Sequence, residues 1–128
     1  AFVPGTHGCT FGGNFLSTSA ALATIRVLED ENLMENAVKV GNYFAMRLRE
    51  WGEKTGVITE VRGRGLMVGA SVKDNIARDL MLASLERGLV FNAVGTDILR
   101  FLPPLCITQA DVEEATDKLA AALDSLKK

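Results

Sequence analysis

Two stretches of this sequence hold residues whose types could do chemistry. The first is HGCTFGGN, His7 to Asn14, with three glycines and a threonine ahead of the helix-like FLSTSAALATIRVL. Glycines let backbone N–H groups approach a ligand closely, and a helix N-terminus favours an anion. Thr10, beside Gly12, Gly13 and Asn14, could donate its hydroxyl to a phosphate oxygen. The simpler reading of the same residues is a tight turn in which glycine supplies positive φ. The loop is not a P-loop, because GxxxxGK[ST] is absent and no lysine follows the glycines.

The second stretch is DILRFLPPL, which carries Arg100 in an apolar run. Alternation places Arg100 with Ile98 and Leu102, while Leu99 and Phe101 face the other way. An arginine in such surroundings is not expected to be simply solvated. If buried, its planar five-donor head needs a carboxylate or phosphate partner. A structural ion pair with an acid elsewhere and bidentate capture of a substrate carboxylate are both open on the residues alone. Arg62 and Arg64 in VRGRG read as a structural turn with ion pairs, and as weaker anion-site candidates than Arg100. His7 reads as a loop residue. No nucleophile–base pair, metal cluster or paired carboxylates stand at readable spacing.

These residues need a scaffold, and the chain has the composition for one. Its 128 residues suffice for a small domain with its own core, and 48% are apolar, which argues against disorder. The net charge of −2 gives no reason to expect nucleic acid or an acidic membrane surface. No apolar run is long enough to span a bilayer, and AFVPGTHG has no signal-peptide character. Cys9 and Cys106 are expected to be free thiols, and the cytoplasm is the default compartment. The chain opens on AFVPG, within what reads as a loop and without an initiating methionine, so a piece of something longer is expected.

Periodicity predicts a helix after the glycine loop that is apolar on more than one side, hence packed on more than one side. Asn32 and Glu35 resemble a capping pair for a second helix, with Leu33, Ala37, Phe44, Leu48 and Trp51 inward and an end near Gly52 to Gly56. VITEVR and LMVGASV read as strands flanking GRG. Asp74 is expected to cap a helix that buries Ile76, Leu80 and Ala83 and stops at Gly88. LVFNAV and DILRFL read as two strands joined through Gly95, the second ended by Pro103 and Pro104. Thr108 and Asp111 predict a capping box for a last helix burying Val112, Ala115, Leu119 and Leu126. The fold class is α+β: two leading helices, then a small, mostly antiparallel sheet with helices.

Three blocks, PGTHGCTFGGN, EVRGRGLMVG and GLVFNAVGTDILRFLPPLCIT, resemble the C-terminal part of the class III pyridoxal-phosphate-dependent aminotransferases, in the family's order and over essentially the whole chain. The resemblance implies the end of a fold-type I large domain over residues 1–54 and a small C-terminal α+β domain over 55–128. It implies that Thr10 contacts the phosphate of pyridoxal 5'-phosphate bound by the neighbouring subunit of a homodimer, with Gly12, Gly13 and Asn14 shaping the loop. It implies that Arg100 handles the substrate α-carboxylate. The family usually has proline where this chain has Phe15, so a slightly different helix entry is expected.

The lysine that holds the cofactor in that family lies upstream of the HG block, so no catalytic residue is expected in this chain, and the chain alone is expected to be inactive. The implied reaction moves an amino group from an N-acylated diamino acid to 2-oxoglutarate. Ornithine, 4-aminobutyrate and succinyl-diaminopimelate are the alternative donors. A non-catalytic packing or dimerisation module is the rival of a different class.

Overall fold

The structure is a computed structural model that describes residues 3–127. Ala1 and Phe2, which open the expected first loop, and Lys128 lie outside the described residues. The chain divides into two compact units, Ala1–Leu33 and Met34–Lys128.

The first unit is the glycine loop followed by helix α1 (Phe15–Asp30), none of whose residues is buried. The packing expected of this helix on several sides therefore has no counterpart among the described residues. Its C-terminal end also departs from expectation. Asn32 does not cap the next helix; it takes a left-handed φ of 52° and its N–H donates to the Glu29 carbonyl at 3.1 Å, closing α1. Asparagine tolerates this conformation almost as glycine does, which suits it to a helix C-terminus.

The second unit is built on helix α2 (Leu33–Thr55) and a four-stranded sheet. The strands are β1 (Ile58–Arg64), β2 (Met67–Val72), β3 (Asn92–Val94) and β4 (Ile98–Phe101), in the order β1-β2-β4-β3. Every ladder is antiparallel, where the sequence predicts a mostly antiparallel sheet. The register of β1 on β2 shifts between Ile58 and Glu60, a bulge at one end of the edge strand. Arg49 of α2 reaches that strand and donates to the Val61 carbonyl at 3.3 Å. The hairpin turns on Gly65 and Leu66, and Gly65, with φ 54°, supplies the glycine-first conformation of a two-residue turn.

One face of the sheet makes the core. Val68, Ala70 and Val72 of β2 and Leu99 and Phe101 of β4 pack with Val40, Phe44, Leu48 and Trp51 of α2. Phe44 meets Phe101 edge to face, with ring centroids 5.1 Å apart. Helices α3 (Ala77–Leu85) and α4 (Gln109–Leu126) add Leu80, Val112, Leu119 and Leu123 to the same cluster. The contacts thus group α2 from Met34 onward with the sheet.

Three local expectations need correction. Asp74 does not cap α3: Asp74 and Asn75 are both left-handed, and the helix starts after Ile76, which makes no side-chain cap. Its first N–H, on Ala77, donates instead to the Thr96 carbonyl at 3.0 Å, while Thr96 Oγ1 donates to Asn75 Oδ1 at 2.9 Å. The strand read from LVFNAV is only three residues long, because Leu89 closes the end of α3 and Phe91 turns its ring onto Phe101 at 4.8 Å. Leu126, placed inward by periodicity, is 40% exposed because α4 ends there. The capping box of α4 is present as read: Thr108 N–H donates to Asp111 Oδ2 at 2.7 Å, and Asp111 N–H to Thr108 Oγ1 at 3.3 Å.

No helix among the described residues is long and apolar enough to cross a membrane. Cys9 and Cys106 are free thiols and exposed.

Candidate phosphate loop and carboxylate face

The candidate residues fall into both units, and each group has its own geometry. In the first unit the loop ends on Asn14, the N-cap of α1. Its Oδ1 accepts from Ser17 N–H at 3.0 Å, and its Nδ2 donates to the Phe11 carbonyl at 2.6 Å and to Ser17 Oγ at 2.7 Å. Asn14 thus ties the loop to the first turn of the helix. Gly13 has φ 74°, where only glycine is unstrained. A Cβ on Gly12 would stand 3.0 Å from the Cys9 sulfur. Phe15 occupies the first helical position, is 93% exposed, and leaves an ordinary capped entry with Asn14 extended.

Around this frame the groups that could hold an anion are open. Thr10 is exposed, and its hydroxyl makes no hydrogen bond among the described residues. The first turn of α1 carries no acidic residue that would repel an anion from the helix N-terminus. A phosphate group suits this donor set: a free hydroxyl, a glycine turn and the positive end of a 16-residue helix. His7 lies exposed in the same loop, as expected of a loop residue.

In the second unit the sheet face opposite the core is open. Alternation in β4 is as read: Leu99 and Phe101 are buried, and Arg100 is on the other face. Arg100 is exposed rather than buried, because α2, α3 and α4 pack on the opposite face of the sheet. The registers set Arg62, Gly69, Arg100 and Asn92 in one row across all four strands. Arg62 Nη1 donates to Glu60 Oε2 at 2.9 Å and to Ser71 Oγ at 2.8 Å, so its charge is met within the sheet. The side chains of Arg100 and Arg64 have no ion pair or hydrogen bond among the described residues. Among the described residues the ion-pair reading holds for Arg62 and not for Arg64 or Arg100.

A shallow depression of about 270 Å³ lies on this face, lined by Arg62, Arg64, Met67, Gly69, Val94 and Arg100, among others. Sequence reasoning ranked the arginines but missed Gly69. The register that puts it beside Arg100 is a pairing of distant segments, and nothing local to LMVGASV signals it.

The profile of the family Aminotransferase class-III matches residues 1–123. The chain is 38% identical over 126 residues to the acetylornithine aminotransferase of Caldanaerobacter subterraneus subsp. tengcongensis, covering 98% of this chain and 32% of that protein. It is 40% identical over 118 residues to the ornithine aminotransferase of Staphylococcus carnosus, covering 92% of this chain and 29% of that protein. Among solved structures, acetylornithine aminotransferase from Elizabethkingia anophelis superposes with a TM-score of 0.85 at 38% identity, over 94% of this chain and 31% of that one. The chain thus spans about a third of the length of the relatives it matches.

Proposed function

The chain belongs to the class-III aminotransferases, and on that premise we propose that it is part of an enzyme that moves an amino group from N-acetylornithine, or a similar N-acylated diamino acid, to 2-oxoglutarate in arginine biosynthesis. The cofactor in this reading is pyridoxal 5'-phosphate, which when bound supplies an electron sink for the chemistry at the substrate's α-carbon. The enzyme is a cytoplasmic homodimer in the same reading. Ornithine as donor is the second reading, favoured by the comparable identity to the Staphylococcus carnosus ornithine aminotransferase.

This chain's residues then have two tasks. Thr10 donates its hydroxyl to a phosphate oxygen, and the turn through Gly12 and Gly13, fixed by Asn14, lets the backbone come close without a side chain in the way. Arg100 aims its guanidinium at the α-carboxylate common to amino donor and 2-oxo acid. Its strand holds it by ladder hydrogen bonds on both sides, and that rigidity favours two parallel N–H···O bonds over one. The lysine that would hold the cofactor is not assigned to this chain, so the chain alone is expected to lack transaminase activity. In support, no described lysine is buried, and Lys118 pairs with Glu114 at 2.6 Å.

The observation that carries the reading is an arginine set in a rigid strand, on an open face, with no acid of its own among the described residues. The test is Arg100→Lys in the full-length enzyme, which keeps the charge and loses the fork. KM should rise for both substrates, with kcat/KM falling by about 2–4 kcal/mol and little change in melting temperature. A decarboxylated donor serves as control. If the substitution penalises that amine as heavily as the amino acid, Arg100 does not bind the carboxylate.

A further inference from the structure

Gly69 sits in the middle of β2, one of the two central strands, paired with Arg62 on one side and Arg100 on the other. Glycine is a poor choice there, since it packs nothing and weakens a strand. The usual reasons for it do not apply. Its φ lies outside the left-handed range. There is no bulge at this point, because the ladder to β4 runs without a break from Val68 to Ser71. Nor is the space filled: a Cβ would find Arg62 Cγ, the Arg62 carbonyl and the Leu99 carbonyl at 3.9 Å each, which is ordinary contact. Gly63 in the neighbouring strand differs, for a Cβ there would collide with the Met67 carbonyl. The fold demands Gly63. It does not demand Gly69.

A central-strand glycine that the fold does not need marks a place where something from outside approaches the backbone. What can approach is limited by the flanks. Arg62 has its stem against Gly69 and its head held by Glu60 and Ser71, so it is a fixed wall with its charge already met. On the other side stands the unpaired guanidinium of Arg100. The depression of about 270 Å³ that both line has room for a small anion.

We propose that Gly69 determines which acids this face admits: the carboxylate end of the substrate lies flat on the Gly69 backbone, beside the Arg62 stem and within reach of Arg100. The proposal rests on the carboxylate-binding reading of Arg100. Gly69 acts here as a specificity residue. A methyl group at this position lifts the carboxylate off the floor and out of line with the guanidinium fork, while leaving the strand at least as stable as before.

The test uses the full-length holoenzyme and three variants, Gly69→Ala, Gly69→Val and Arg100→Lys. Two measurements are made on each: melting temperature, and calorimetric binding of glutarate, an unreactive dicarboxylate. Gly69→Ala should melt no lower than the unsubstituted protein and bind glutarate about tenfold more weakly. Gly69→Val should lose about a hundredfold. KM for a decarboxylated amine donor should be unchanged in Gly69→Ala. If both Gly69 variants bind glutarate normally while Arg100→Lys does not, the role of Gly69 is wrong and the reading of Arg100 survives. If all three bind normally, both fail. A clear drop in the melting temperature of Gly69→Ala overturns the proposal by showing that the fold needs the glycine. A rise in KM for the decarboxylated amine equal to that for the acid overturns it too, because the room then serves something other than a carboxylate.

Discussion

Gly41 of helix α2 and Gly65 of the β1–β2 turn meet backbone to backbone: a Cβ on Gly41 would collide with the Gly65 carbonyl oxygen. This contact fixes how near the helix comes to the hairpin that carries Arg62 and Arg64. Gly41→Ala should therefore force the two apart and cost about 1–3 kcal/mol, the usual range for overpacking. Urea denaturation measures it, and an unchanged midpoint would show that the turn can yield.

Thr10→Ala in the full-length enzyme removes the one free side-chain hydroxyl proposed for the cofactor phosphate. A lost hydrogen bond to a charged group is worth ~1.5–3 kcal/mol, or roughly ten- to a hundredfold in cofactor affinity. Equilibrium dialysis against pyridoxal phosphate measures the change. In mixed dimers of Thr10→Ala with a variant lacking the cofactor lysine, the weakened site should be the partner's. Undiminished affinity would reduce Thr10 to a turn residue.

Asp111 gives a pH signature. The hydrogen bonds from the Thr108 backbone N–H and hydroxyl hold its carboxyl below the usual carboxylate range. A depressed folded-state value means the unfolded chain binds the proton more readily. The stabilisation is therefore complete above the unfolded value of about 3.9 and is lost as pH falls through the lower, folded one. Asp111→Asn should flatten the dependence of stability on pH in that acid window and leave its slope near neutrality unaltered. Chemical denaturation at a series of acid pH values would reveal it, and identical slopes for both proteins would refute it.

Ser84 is fully buried in α3, and its hydroxyl has no partner among the described residues. Removing an unsatisfied buried hydroxyl relieves a desolvation cost, so Ser84→Ala should be neutral or stabilising by up to about 1 kcal/mol. A loss of stability on calorimetry would mean that the hydroxyl is bonded in solution.

What the sequence disclosed, and what it withheld, follows the range of the interactions. The α4 capping box was legible because Thr108 and Asp111 lie within one turn of each other and their side chains bond within that turn. The facing of Leu99, Arg100 and Phe101 was legible because strand alternation is local. The exposure of Arg100 was not, since it depends on which face of the sheet the helices cover. Asp74 misled for a related reason: a residue of the right type stands near the helix start, but the start is tied to Thr96, far along the chain. Asn32 had two local roles open to it, ending one helix or starting the next, and composition does not choose between them. In the loop, the turn geometry of Gly13 and Asn14 could be anticipated from residue types. The role proposed for Thr10 could not, since no atom among the described residues engages its hydroxyl and only the family resemblance supplied a ligand.

The bulge at Ile58 and Glu60 has a consequence for the protein's behaviour in crowded solution. An outer strand with a regular row of unpaired N–H and C=O groups invites a second molecule to extend the sheet, which is how fibrils grow. On β1 that row is broken by the register shift and is part-occupied where Arg49 takes the Val61 carbonyl, while β3, at the far side, offers only three residues. Neither margin gives an incoming strand a flat template, which disfavours amyloid-like growth at both ends of this sheet.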